Sequence, residues 1–192
     1  MHIAIFQVDV SFFTLSLWSW VLINYLDFIR EIPDFPKQGI LFKDITPLLK
    51  DSFAFQSAVG DMSQPFMEKS IDSVVAIEAR GYIFGAPIAY QLGCGFIPIR
   101  KKGKLPGKTS QIEYSLEYGT EILEIHSDSV DLGRRILIVD DILATGGTLQ
   151  AAVELVKESG GEIAGISVFA DLVGLEGAKN FSQYSFASLL HL

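Results

Sequence analysis

Two adjacent carboxylates, Asp140 and Asp141, follow the apolar run Ile136–Val139 and precede Ala144-Thr145-Gly146-Gly147-Thr148. The run is short, continuous and rich in β-branched residues, which is the pattern of a strand buried on both faces. The acid pair is expected to stop it. After the loop, Leu149, Ala152, Val153 and Val156 recur at helical spacing until Ser159-Gly160-Gly161, where that helix should end. A helix N-terminus carries unpaired N–H groups and partial positive charge. Glycines let those donors approach an anion, and Thr145 and Thr148 add hydroxyls, so the loop is a phosphate cradle. Carboxylates beside it would repel a bare phosphate and suit a ligand that also carries hydroxyls or a metal. A ribose 5-phosphate meets both demands, with its phosphate in Ala144–Thr148 and its 2′- and 3′-hydroxyls on Asp140 and Asp141. The plainer alternative is a Gly-rich turn beside two solvated acids. The combination of strand, acid pair, spacer and ATGGT weighs against it.

Two further stretches carry charge suited to an anion. Ser73–Glu78 reads as a buried strand, Arg80-Gly81-Tyr82 as a tight turn, and Phe84–Leu92 as a helix closed by Gly93. Its loop holds Glu78 and Arg80, either as a surface ion pair or as a second anion loop with Arg80 facing a pyrophosphate. Gly95–Arg100 is another short buried strand, and Arg100, Lys101, Lys102, Lys104 and Lys108 then fall within nine residues. Such an excess directly after a strand end, in an acidic chain, points to a polyanionic ligand. Gly103–Thr109 imitates a nucleotide P-loop. It has three residues between its glycines where that motif needs four, and Pro106 removes an N–H from the cradle. Lys108–Gly119 is polar, with Tyr114, Glu117 and Tyr118 interleaved, and reads as a long mobile loop closing over the ligand. Thr120–His126 alternates like a half-exposed strand, on which the lone His126 reads as structural.

Elements must bring these groups together. Asp27–Pro36 ends in a rigid, non-helical Pro-Asp-Phe-Pro, and Gly39–Pro47 places Phe42 on a short loop or strand before a helix. Ser52–Ser70 is an apolar-striped helix that Pro65 should bend, and Ile163–Leu172 is a last long strand. Strands alternating with helices imply an α/β domain with a mostly parallel central sheet flanked by helices. Ligands bind such sheets beyond the carboxyl ends of the strands. That places Glu78–Arg80, Arg100–Lys104 and Asp140–Thr148 on one rim.

The chain has 192 residues and a net charge of −8, enough for one domain and poorly suited to general nucleic-acid binding. Cys94 is its lone cysteine, so no internal disulfide forms and the cytoplasm is the expected compartment. Val10–Leu26 is uncharged and strongly apolar, slightly short of the ~20 residues of a spanning helix. Its flanks are wrong for a signal peptide. It reads as a membrane anchor, a helix packed on the body, or sequence upstream of the functional protein, the last being preferred. Residues 1–24 are therefore set apart from a single domain at 25–192.

The stretch RILIVDDILATGGT closely resembles the phosphoribosyl-pyrophosphate signature of the type I phosphoribosyltransferases. DFPKQGILFKDITPLLKD, IEARGYIFGAPIAYQLG and EYSLEYG resemble phrases of the adenine-specific branch of that family, in the same order. The resemblance runs from about Asp27 to about Leu190. It implies the type I phosphoribosyltransferase fold with a small N-terminal hood, and the reaction of adenine with phosphoribosyl pyrophosphate to AMP and pyrophosphate, a purine-salvage step. It implies that Phe42 and Leu172 sandwich adenine while backbone groups of Leu41 and Lys43 read its edge. Asp140 and Asp141 hold the ribose and stabilise a cationic ring, and Ala144, Thr145, Gly146, Gly147 and Thr148 hold the 5-phosphate. Glu78, Ala79, Arg80, Arg100 and Lys104 serve the pyrophosphate, Arg100 across a dimer interface. Glu117 handles the purine proton, with Tyr118 beside it on the closing loop. The resemblance also implies magnesium bound with phosphoribosyl pyrophosphate, a homodimer, and a cis peptide near Glu78–Ala79. Asp171 departs from the family's usual Glu. The nearest rivals are a 6-oxopurine enzyme of the same fold and a non-catalytic regulator, which would need a basic face or DNA-binding motif.

Overall fold

The computed structural model describes residues 23–116 and 119–192. Glu117, Tyr118 and most of Val10–Leu26 therefore lie outside the described residues. Strands β1 (Arg30–Pro33) and β2 (Leu41–Asp44) form a separate antiparallel hairpin, in register from Arg30↔Asp44 to Pro33↔Leu41. This is the small hood. Helices α1 (Thr46–Lys50) and α2 (Ser52–Ser63) follow. Asp51 starts α2 by accepting from the N–H groups of Phe53 and Ala54, at 3.1 and 2.9 Å. The helix ends at Ser63, and Pro65 sits in a short 3-10 turn, Gln64–Phe66.

The body comprises β3 (Ser73–Ile77), α3 (Arg80–Leu92), β4 (Gly95–Lys101), β5 (Thr109–Leu116), β6 (Gly119–His126), β7 (Arg135–Leu143), α4 (Gly147–Glu158), β8 (Glu162–Asp171) and β9 (Phe186–His191). They build a seven-stranded sheet in the order β5-β6-β4-β3-β7-β8-β9. From β4 to β9 neighbouring strands are parallel, and the β5–β6 hairpin joins the edge of β4 antiparallel. The sheet is thus mixed, with a parallel centre. Val75, Ile77, Ile136 and Ile138 pack under α4, against Leu149, Ala152 and Val156. Val74, Ala76, Leu137 and Val139 face the other way, onto α2 and α3 through Ala58, Met62, Phe84 and Ile88. Residues of β3 and β7 alternate between two cores, which is why both strands read as unbroken apolar runs.

Several local expectations change. Strand β7 does not stop at the acid pair. It runs on against β8 to Leu143↔Asp171, whereas its pairing with β3 ends at Ala76↔Val139. On the β3 side Asp140 and Asp141 therefore stand beyond the sheet, at its carboxyl rim. Lys108–Gly119 is not an irregular loop: Thr109–Leu116 pairs with β6 over its whole length, and Ile112 and Tyr114 pack on the core. The alternation of those two residues is the local signal for a strand. Helix α3 begins at Arg80, so the expected turn Arg80-Gly81-Tyr82 is its first turn. The chain end supplies β9, pairing with β8 from Ile166↔Phe186 to Asp171↔His191. Near the first described residues, Tyr25 is buried, its ring edge-on to Phe169 and its hydroxyl donating to Asp61. Among the described residues, no helix is long and apolar enough to cross a membrane.

Candidate active site

The acid pair forms the centre of the rim. Asp141 is 4 % exposed, and the Arg80 Nε lies 2.7 Å from its Oδ2, an ion pair rather than an aligned hydrogen bond. Asp140 Oδ1 accepts from the Asp141 N–H at 2.9 Å. Burial and then the neighbouring Asp141 charge push the Asp140 carboxyl well above the usual carboxylate range. Burial also raises Asp141, with Arg80 opposing it. Two carboxyls so placed titrate as a pair and favour hydroxyl donors between them. Gly81 makes this approach possible. A Cβ there would sit 2.9 Å from Asp140 Oδ1 and 3.1 Å from the Val139 carbonyl oxygen.

The glycine-threonine loop follows β7 and opens α4. Gly146 takes φ +90° at the N-cap, a left-handed conformation that glycine adopts at no steric cost. The loop's N-terminal amides and the Thr148 hydroxyl border a cavity of about 170 Å³ lined by Asp140, Ala144, Thr145, Gly146, Gly147 and Thr148. These are the residues whose pattern in the sequence suits an anion cradle, and here they line one cavity at the start of α4. It is buttressed from a 3-10 turn, Gly177–Phe181: a Cβ at Gly177 would lie 2.1 Å from the Ala144 carbonyl oxygen.

Beside it lies a cavity of about 330 Å³ whose lining includes Glu78, Ala79, Arg80, Asp140, Asp141 and Thr148. It shares Asp140 and Thr148 with the cradle. Lys101, Tyr114 and Glu121 are also part of its wall. The Lys101 Nζ pairs with Glu121 at 2.8 Å, the Tyr114 hydroxyl donates to Glu121 at 3.1 Å, and the Thr148 hydroxyl donates to Tyr114 at 3.4 Å. Arg100 and Lys104 are outside this lining. Arg100 Nε donates to Glu78 at 2.6 Å and its Nη1 to the Lys104 carbonyl at 2.8 Å, while the Lys101 N–H donates to Glu78 at 3.0 Å. Glu78 thus faces the basic turn and organises it. The Glu78–Ala79 peptide is cis, as is Phe35–Pro36.

A third cavity, about 430 Å³ and mostly apolar, opens under the hood and includes Ile32, Phe35, Phe42, Leu49, Arg80 and Ile83. Phe35 meets Phe42 edge-on at 5.1 Å, and the Arg80 guanidinium carbon stands 5.2 Å from the Phe42 ring centre. Arg80 therefore links the acid pair to the aromatic wall. Leu41, Lys43 and Leu172 lie outside this lining: Leu41 is exposed, Lys43 pairs with Glu31, and the Leu172 N–H donates to the Leu143 carbonyl. Sequence reasoning did not single out Phe35, Gly81 or Glu121, and it named Lys101 and Tyr114 only as members of longer runs. No local pattern marked Phe35, Gly81 or Glu121, because their partners Phe42, Asp140 and Lys101 lie elsewhere in the chain.

Residues 49–188 match a family model described as a phosphoribosyl transferase domain. The chain is 53% identical over 163 residues to an adenine phosphoribosyltransferase of Thermotoga petrophila, covering 85% of this chain and 96% of that one. It superposes with a TM-score of 0.85 on the crystal structure of an adenine phosphoribosyltransferase from Thermoanaerobacter pseudethanolicus, at 50% identity and covering 88% and 98% of the two chains. The Saccharomyces cerevisiae enzyme of the same name, solved with an imino-altritol bisphosphate and adenine, gives 0.81 at 35% identity, covering 86% and 96%.

Proposed function

The chain belongs to the adenine phosphoribosyltransferase family, and from that premise we propose how its residues divide the work. The reaction joins adenine to 5-phosphoribosyl 1-pyrophosphate and yields AMP and pyrophosphate. One observation carries the assignment to this rim: three adjoining cavities, a phosphate cradle, an acid-walled centre and an aromatic pocket, are linked through Asp140, Thr148 and Arg80. A phosphorylated sugar with a base on one side and a pyrophosphate on the other needs that sequence of environments.

The 5-phosphate sits in Ala144–Thr148, so binding energy remote from the chemistry orients the anomeric carbon. Asp140 and Asp141 accept hydrogen bonds from the ribose diol and stabilise the positive charge that grows on the ring as the bond to pyrophosphate breaks. Arg80, 40% exposed in its side chain and bordering both the central cavity and the base pocket, neutralises the departing pyrophosphate. The basic turn with Arg100 and Lys104 assists. Adenine lies on Phe42, with Leu172 as the opposite face and the backbone of Leu41 and Lys43 at its edge. As N9 bonds to the anomeric carbon, Glu117 handles the purine proton as a general acid or base. Among the described residues no three carboxylate, imidazole or thiolate groups converge, and two adjacent carboxylates beside a polyphosphate site suit a magnesium ion shared with the substrate. When bound, that ion supplies positive charge to the leaving group.

The proposal extends to a cytoplasmic homodimer. Size-exclusion chromatography of the full chain tests the dimer. AMP formation from adenine, with guanine, hypoxanthine and xanthine as controls, tests the base assignment. Preference for a 6-oxopurine over adenine would overturn it.

A further inference from the structure

The turn that leaves β4 has little backbone bonding of its own beyond the Lys104 N–H to the Lys101 carbonyl, at 3.2 Å, and the Lys102 N–H to the Ile122 carbonyl, at 3.0 Å. Lys101, Lys102, Lys104 and Lys108 carry like charges along it, Gly103 and Gly107 take φ +79° and +84°, and Leu105 alone is half-buried. Two carboxylates grip its backbone. On one side Glu78 accepts from the Lys101 N–H and from Arg100. On the other side stands Glu124 of β6, opposite Arg100 in the β4–β6 register and 2 % exposed. Its Oε1 accepts from the N–H groups of Lys104 and Leu105, at 2.9 and 2.8 Å. Its Oε2 accepts from the Thr109 hydroxyl at 3.4 Å and the Gln111 amide at 3.3 Å. A buried carboxylate with both oxygens occupied in this way is a strong local constraint. Burial alone would lift its carboxyl. The N–H donors of Leu105, Gly103 and Lys104 outweigh burial and hold it below the usual range, so it stays ionised at neutral pH.

We propose that Glu124 is a positioning residue for pyrophosphate: by gripping the backbone at Lys104 and Leu105 it holds the basic turn where Arg100 and Lys104 meet the leaving group. The inference rests on the phosphoribosyl-transfer reading above. The constraint is specific to one end of the substrate, because Glu124 touches neither the cradle nor the hood. Its donors all belong to the turn or to β5. Glu124 also neutralises part of the turn's charge from below, which lets several cations stand close together.

The test uses the full chain with Glu124→Ala and Glu124→Gln. Steady-state KM values for phosphoribosyl pyrophosphate and adenine are measured, together with inhibition by pyrophosphate and binding of AMP, which lacks the pyrophosphate. Glu124→Ala is expected to weaken phosphoribosyl pyrophosphate and pyrophosphate together by roughly tenfold or more, the scale of one lost charge-assisted contact. The adenine KM and AMP affinity should stay within about twofold. Glu124→Gln keeps one oxygen for the two N–H groups but loses the charge, and should recover only part of the loss. Equal weakening of AMP and pyrophosphate would overturn the proposal, as would unchanged pyrophosphate inhibition in a folded Ala variant. Should the Ala variant fail to fold, the Gln variant decides: a smaller loss confined to the pyrophosphate ligands supports the role, and an unchanged or indiscriminate response overturns it. If the wild-type chain makes no AMP, the transfer reading fails by itself. Pyrophosphate binding by calorimetry still compares the variants.

Discussion

Replacing Gly81 by alanine tests the link between fold and chemistry with one methyl group. In a helix, alanine is favoured over glycine by about 0.8–1 kcal/mol, so on propensity alone Gly81→Ala in α3 would stabilise. The site reverses that expectation for function. The added Cβ would stand 2.9 Å from Asp140 Oδ1, 3.1 Å from the Val139 carbonyl oxygen and 3.4 Å from the Asp140 Cα. Ordinary contact begins near 3.4 Å, so the carboxylate must retreat by about half an ångström. A misplacement of ~1 Å can cost a hundredfold in rate, and half of that corresponds to roughly tenfold. We expect kcat/KM to fall by about that factor, with the melting temperature nearly unchanged, because the propensity gain and the local clash oppose each other. Initial rates of AMP formation and thermal unfolding are measured on the same preparations. Gly60→Ala in α2 is the control: no atom lies within 4 Å of its added Cβ, so it should stabilise slightly and leave rates alone. A folded Gly81→Ala enzyme with wild-type kcat/KM would refute the argument that Asp140 must occupy its observed place.

Gly177→Ala should weaken AMP binding, because its Cβ collides with the Ala144 carbonyl oxygen at 2.1 Å and must displace the cradle; calorimetry with AMP showing wild-type affinity would contradict this. Asp140→Asn should abolish turnover while the fold survives. It should also remove a pH dependence. With its carboxyl raised, the folded chain binds more protons than the unfolded chain, so stability falls as pH rises from the ordinary carboxylate range through the raised one. Urea unfolding across that range should show the fall in the wild type and a shallower one in Asp140→Asn; an unchanged slope would exclude Asp140 as its source. Phe42→Ala should raise the KM for adenine more than that for phosphoribosyl pyrophosphate, and an equal rise in both would remove the stacking role.

The sequence by itself determined what neighbouring residues decide among themselves. The buried strand at Ile136–Val139, the loop Ala144–Thr148 and the helix from Leu149 are set by side-chain period, glycine and helix-end chemistry, all within a few residues. Hence local residue types alone set the acid pair beside a loop of glycines and threonines at a helix start. Proximity between distant segments was decided only by tertiary structure. β7 continues through its acids because β8 lies beside it, and Thr109–Leu116 becomes a strand because β6 offers an edge. Arg80 reaches both Asp141 and Phe42 because α3 starts at that residue and the hood folds above it. Gly81 and Glu124 matter for the same reason: their partners are far along the chain, and periodicity carries no record of what packs against a residue from elsewhere.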